Sequence, residues 1–190
     1  MELGKIGAWV STNALNKKQL AELARGVEDL GYDTLWYPES TTYESLAMGS
    51  FLLANSSTLQ VASGIANIYA RDPFTAMSGH NSLNTLYEDR FCLGLGVSHI
   101  PLVTGRRGHA FGKPVATMRA YLEAMAAAEV DLKAPTQNIV LAALGPRMLE
   151  LSRDMTEGSL PYCVTPEHTV MAREIMGPDK WLCVEQKIVF

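Results

Sequence analysis

Ile6-Gly7-Ala8-Trp9-Val10-Ser11-Thr12-Asn13-Ala14 is the stretch on which the choice of fold turns. Its first five residues form an apolar run of strand length. The four that follow are small or polar and include no glycine. An open, nucleotide-binding sheet places Gly-x-Gly-x-x-Gly directly after its first strand, because the backbone must approach a pyrophosphate there. That fingerprint is missing, and no Gly-x-x-x-x-Gly-Lys-[Ser/Thr] loop occurs elsewhere. The rest of the chain alternates. Apolar runs at 6–10, 34–37, 59–65, 90–96, 139–143, 158–164 and 181–190 read as seven strands. Between them, helical periodicity reads at 17–30, 43–55, from Pro73 onward, 114–128, 147–155 and in a segment ending at Met176. Strict strand–helix alternation implies a parallel sheet. Without the nucleotide fingerprints, the expected fold is an α/β barrel of the (β/α)8 TIM type, in one domain spanning 1–190.

Local signals support these boundaries. Leu20, Leu23, Ala24, Val27 and Leu30 recur at three and four residues, giving the first helix an apolar face, and Gly31 stands where a helix stops. Asp72 before Pro73 predicts a cap and first turn. Gly177-Pro178 closes the last helix. A complete barrel takes roughly 250 residues. The eighth strand and its helices are therefore expected to be absent, leaving a barrel truncated at its C-terminus with two open sheet edges. Such edges tend to pair with another chain, so a homodimer or other self-association is expected.

Composition excludes several function classes. The chain has 190 residues, 47% of them hydrophobic, and a net charge of -4. Arg106-Arg107 is only a pair, too little for a nucleic-acid surface. No apolar stretch of about 18 residues is present to span a bilayer. The N-terminus lacks a signal-peptide layout, which makes a cytoplasmic location the expectation. Cys92, Cys163 and Cys183 each fall in an apolar run and read as buried, reduced thiols. No His/Cys/Asp cluster has metal-ligand spacing, so no metal is expected. No Gly-x-Ser-x-Gly elbow marks a serine hydrolase.

In parallel barrels the reactive groups gather at the C-terminal ends of the strands. Those ends supply Glu39 and Ser40; Ser63, Gly64, Ile65 and Ala66; Gly96, Val97, Ser98 and His99; Leu144, Gly145 and Pro146; and Thr165. His99 has a side chain suited to proton transfer near neutrality, or it is a loop histidine bonded locally. Glu39 either accepts a hydrogen bond from a ligand or caps the second helix. Gly64, inside a strand, marks a bulge or a close approach by a ligand. Gly145-Pro146 opens a helix whose free N–H groups favour phosphate, or is a plain helix start; Thr165 carries the same two readings. His80 and His168 read as structural or surface residues. The long loop at 97–112 is of a length that is often functional.

Four segments carry a resemblance. They are Leu30-Gly31-Tyr32-Asp33-Thr34-Leu35-Trp36-Tyr37-Pro38-Glu39-Ser40, Ala62-Ser63-Gly64-Ile65-Ala66-Asn67-Ile68-Tyr69-Ala70-Arg71-Asp72-Pro73, Arg90-Phe91-Cys92-Leu93-Gly94-Leu95-Gly96-Val97-Ser98-His99 and Ala142-Ala143-Leu144-Gly145-Pro146. Together they resemble the bacterial luciferase-like monooxygenase superfamily, and within it the deazaflavin (coenzyme F420)-dependent oxidoreductases. The resemblance implies a (β/α)8 barrel with the cofactor across its C-terminal mouth. It also implies a bulge with a non-prolyl cis peptide at Gly64–Ile65, cofactor-phosphate contacts near Gly145, and an acid or base at His99. Ser40 stands where the sugar-phosphate dehydrogenases of this branch carry histidine, and His99 where they carry glutamate. Sugar-phosphate oxidation is therefore not implied. The resulting expectation is hydride transfer between F420 and a small organic substrate, with catalytic residues His99 and Glu39. The remaining strand-end residues would bind the cofactor. The alternatives are an FMN-dependent monooxygenase using molecular oxygen, and a non-catalytic, truncated flavin-binding fragment.

Overall fold

Strands β1 (Gly7–Trp9), β2 (Thr34–Tyr37), β3 (Gln60–Ser63), β5 (Phe91–Gly96), β6 (Ile139–Leu141), β7 (Gly158–Ser159) and β8 (Trp181–Leu182) lie side by side in chain order, each parallel to the next. The remaining strand, β4 (Ala66–Asn67), continues β3 and pairs with β5. The computed structural model describes residues 1–188. The expected end of the seventh strand at Phe190 lies outside them. Counting β3 and β4 as one interrupted strand gives seven of the eight strands of a TIM-type barrel, curled into a half-barrel. In this sheet β1 and β8 each have a single neighbour. A cleft of about 810 Å³ opens between them, lined by Trp9, Trp36, Leu160 and Leu182 among others.

Helices α1 (Lys17–Asp29), α2 (Ser45–Ala54), α3 (Pro73–Leu86), α4 (Pro114–Ala126), α5 (Pro146–Met155) and α6 (Pro166–Met176) separate the strands. Their starts are set locally. Asn16 accepts N–H bonds from Lys18 and Gln19, while Gln19 Oε1 accepts the Asn16 N–H at 2.9 Å, a reciprocal cap. Asp72 accepts the Thr75 N–H at 2.9 Å with Pro73 in the first turn, as the sequence predicts. Helix α6 ends at Gly177, whose φ of 77° is one that glycine adopts without strain.

Strand residues alternate between two cores. One face, with Leu35, Tyr37, Val61, Phe91 and Leu141, packs under the helices. The other lines the inside of the half-barrel. There Trp9, Trp36, Ala62 and Cys92 stand in one register row across β1, β2, β3 and β5. Val140 and Leu160 extend that inner cluster.

Several expectations are corrected. The run at 158–164 pairs as a strand only over Gly158–Ser159, because Pro161 has no N–H to donate; a bridge from Tyr162 to Glu185 continues the contact. The loop at 97–112 contains a π-helical turn, Pro101–Arg106. Cys163 is exposed, in a turn with φ 48°, rather than buried in a strand. Cys92 is buried and Cys183 half-buried; burial pushes the thiol of Cys183 up to about 12. All three thiols are free.

Candidate functional site

The strand register places a bulge where the sequence expects one. Ala62 faces Cys92, and Ala66 faces Leu95, so four steps along β3 and β4 answer three along β5. One residue is extra, which defines a β-bulge at 63–65. The peptide bond Gly64–Ile65 inside it is cis. Neighbours grip it on every side. The Gly64 N–H donates to the Tyr37 carbonyl at 2.7 Å, and the indole N–H of Trp9 donates to the Gly64 carbonyl at 3.1 Å. The Glu39 N–H donates to the Ile65 carbonyl at 3.2 Å, and Ser63 Oγ donates to the Gly94 carbonyl at 2.9 Å. Gly94 must be glycine here, since a Cβ would run into the Ser63 carbonyl oxygen. At Gly96 a Cβ would stand 2.7 Å from the Ile65 side chain.

Above the bulge lies a mostly apolar cavity of about 920 Å³ at the C-terminal ends of the strands. Most of the residues singled out from the sequence meet there. Glu39, Ser40, Gly64, Ile65, Gly96, Val97, Ser98, His99, Leu144, Gly145 and Pro146 all line it. Ser63 and Ala66 are fully buried behind it, and Thr165 lies outside the lining, where its hydroxyl accepts the His168 N–H at the start of α6. Other lining residues were not among the candidates read from the sequence, including Leu102, Val115, Arg147, Met148 and Tyr162. Leu102 sits on the π-helical turn, a conformation without a sequence signal. Arg147 directly follows Gly145-Pro146, a position that could have flagged it.

His99 is exposed on the rim, one residue after Ser98, which holds φ 58°. Its carbonyl accepts the N–H groups of Leu102 and Val103, each at 3.1 Å, just ahead of the π-helical turn. The imidazole makes no hydrogen bond among the described residues. Ser40 Oγ donates to Asn13 at 2.7 Å. His80 is buried between Asn81 and Asn84, and burial lowers its pKa. His168 steadies the tip of β6 through a 2.6 Å bond between Nε2 and the Leu144 carbonyl.

Glu39 is the most constrained ionisable group of the mouth. Its side chain is only 2% exposed. One oxygen accepts the Asn67 N–H at 2.7 Å; the other meets the Ser45 N–H and the guanidinium of Arg71. Arg71, itself buried, also pairs with Glu44, the N-cap of α2. Burial opposes the charge on Arg71, but the two carboxylates outweigh it and hold its pKa above the usual value. The Arg71 carbonyl accepts a bond from Tyr121 Oη at 3.0 Å. Sequence reading missed Arg71, because its partner Glu39 lies on a different strand end.

The uncapped start of α5, with Gly145 at its N-cap and Arg147 beside it, is the part of the mouth suited to an anion. Among the described residues no group of three His, Cys, Asp or Glu side chains could hold a metal ion. No described helix is long and apolar enough to cross a membrane.

Comparison with known proteins agrees with this fold. The sequence model of the luciferase-like monooxygenase family matches residues 1–176. The chain belongs to this family. Among relatives, a 5,10-methylenetetrahydromethanopterin reductase of Methanolobus tindarius is 28% identical over 164 residues, covering 75% of this chain and 49% of that protein. The chain thus spans about half the length of the curated relative it matches. Among solved structures, the coenzyme F420-dependent tetrahydromethanopterin reductase of Methanopyrus kandleri superposes with a TM-score of 0.73 at 16% identity, over 90% of this chain and 59% of that one. A type II Baeyer–Villiger monooxygenase of Pseudomonas putida in complex with FMN gives a TM-score of 0.69 at 11% identity, over 86% of this chain and 58% of that one. Both structures share the fold of this luciferase-like chain.

Proposed function

We propose that this luciferase-like chain carries the cofactor side of an oxidoreductase site, at which hydride passes between the deazaflavin coenzyme F420 and a small organic substrate. The observation that carries this reading is the apolar mouth of about 920 Å³ floored by the bulge at Gly64–Ile65. Its residues fit a flat ring system. Ile65, Val97 and Ala142 offer apolar surface, and the missing side chain of Gly96 leaves room for Ile65. The open space at Gly145 beside Arg147 suits the phosphate of such a cofactor. When bound, F420 supplies the two-electron centre, while the protein positions it and excludes water. His99, exposed on the rim, moves the matching proton. Ser40 presents a hydroxyl to ring or substrate. The carboxylate of Glu39 is engaged by Arg71, Ser45 and Asn67, so its part is orientation.

FMN with molecular oxygen is the second reading, favoured by the family's monooxygenase members and by the FMN-bound structure of the same fold. Absorbance-monitored titration of this chain separates the two, since F420 absorbs in the violet and FMN also in the blue. Saturable binding of F420 in preference to FMN supports the first reading, and the reverse preference supports the second. Binding of neither cofactor overturns both readings. Self-association through the single-neighbour strands β1 and β8 is part of the proposal. Light scattering tests it, and a monomer at micromolar concentration overturns that part. Three free cysteines fit a reducing, cytoplasmic location.

A further inference from the structure

The bulge that floors the mouth does not hold itself. Its last residue, Ile65, is held by the backbone N–H of Glu39, and Asn67, two residues on, hangs from the carboxylate of the same residue. Glu39 therefore holds the C-terminal end of the bulge at two points. The Asn67 half of this hold depends on the Glu39 side chain keeping its place, with both oxygens accepting. A buried carboxylate without a counter-charge is costly and turns toward water. Arg71 supplies the counter-charge. The chain turns tightly after the bulge: the Tyr69 N–H donates to Asn67 Oδ1 at 2.9 Å and the Ala70 N–H to the Asn67 carbonyl at 3.0 Å. This turn brings the Arg71 guanidinium back onto Glu39, with Tyr121 Oη fixing the Arg71 backbone from α4.

We propose that Arg71 is a positioning residue of the mouth: through Glu39 it sets the geometry of the Gly64–Ile65 bulge, and with it the floor on which the cofactor ring rests. The second half of this statement rests on the proposed function; the first half does not. The bulge carries its own reporter. Among the three tryptophans, Trp9 donates its indole N–H to the Gly64 carbonyl at 3.1 Å. Trp36 and Trp181 make no hydrogen bond to the bulge and serve as internal controls.

The test compares the wild type with Arg71→Met and Arg71→Lys by NMR of the indole N–H groups, together with F420 and FMN titration and thermal unfolding. In Arg71→Met the Trp9 indole resonance is expected to move and its hydrogen exchange to speed up. The Trp36 and Trp181 signals should hold, and the affinity for the preferred cofactor should fall at least tenfold. Arg71→Lys, which keeps the charge, should restore most of the Trp9 signal. A folded Arg71→Met protein with all three indole signals unchanged overturns the proposal. If Arg71→Met does not fold, Glu39→Gln decides: it keeps the shape of the side chain and one acceptor oxygen, and an unmoved Trp9 signal in it overturns this hold. Failure of the wild type to bind either cofactor overturns the proposed function, while the indole comparison still decides the role of Arg71.

Discussion

Replacing Gly94 by alanine tests the closest approach in the site. A Cβ at this position meets the carbonyl oxygen of Ser63, a backbone atom, with Val140 Cγ2 at 3.5 Å behind it. Ser63 cannot swing aside: it pairs with Tyr37 in β2, the next residue donates to the Tyr37 carbonyl at 2.7 Å, and Ser63 Oγ donates to the Gly94 carbonyl at 2.9 Å. Relief requires parting β3 from β5 at the bulge. Overpacking of this kind costs about 1–3 kcal/mol, and losing the Ser63–Gly94 bond adds about 0.5–1.5 kcal/mol. The expected loss is about 2–4 kcal/mol, which for a chain of this size lowers Tm by about 5–15 °C and the urea midpoint by about 1–2 M at an ordinary slope. Gly96→Ala is the control. There the added methyl meets a side chain rather than backbone, Ile65, with Cγ1 and Cδ1 each at 2.7 Å. Ile65 can turn away for about 0.5–1.5 kcal/mol, the cost of a displaced rotamer. Stability should then change little while the shape of the mouth, and cofactor affinity, change more. Thermal and urea unfolding measure both variants. A Gly94→Ala protein within about 0.5 kcal/mol of wild type, less than the loss of one hydrogen bond, would mean that β3 does not bulge against β5 as described.

Three further outcomes are expected. His99→Ala should lower turnover by about 10²–10⁴, the usual worth of a positioned acid or base, with cofactor affinity little changed; an unaltered rate in steady-state assay removes the assigned role. The Glu28 carboxylate accepts the N–H groups of Ser57, Thr58 and Leu59; burial opposes its charge, but these bonds win and hold its pKa below the ordinary value. Its stabilisation is therefore present above the unfolded-state pKa, near 4.3, and is lost as pH falls through the lower native value. Glu28→Gln should be less stable than wild type at neutral pH, with the gap closing in acid, as urea unfolding across pH would show; a gap independent of pH contradicts this. Tyr69 stacks on Phe111 at 6.0 Å and its hydroxyl accepts the Gly112 N–H at 3.0 Å, tying down the segment after the π-helical turn. Tyr69→Ala should speed trypsin cleavage at Arg106 and Arg107 by an order of magnitude, and unchanged cleavage would show that the segment is held elsewhere.

Element type and order were legible in the chain because their signals are local. Asp72 with Pro73 starts one helix, and Gly31 and Gly177 stop two others, through neighbours a few residues away. The absence of glycine after Val10 separated barrel from open sheet for the same reason. Strand ends were less legible. The apolar run at 158–164 looks like a strand, but pairing depends on which N–H groups face a neighbour, and Pro161 has none. Cys163 shared that run and so was misplaced with it.

Much of the mouth could be collected from the sequence, since in parallel barrels chemistry gathers at strand ends: Glu39, Ile65, Gly96, His99 and Gly145 all arrive at one cavity. Gly64 inside its strand also pointed to a bulge. What the chain could not show was the register that makes the bulge, because a step of four residues against three is a relation between two strands. Nor could it show that Arg71 reaches back 32 positions to hold Glu39. Periodicity and capping act within a few residues along the chain. A buried ion pair forms only when the sheet brings two strand ends together and excludes the water that would otherwise solvate each charge.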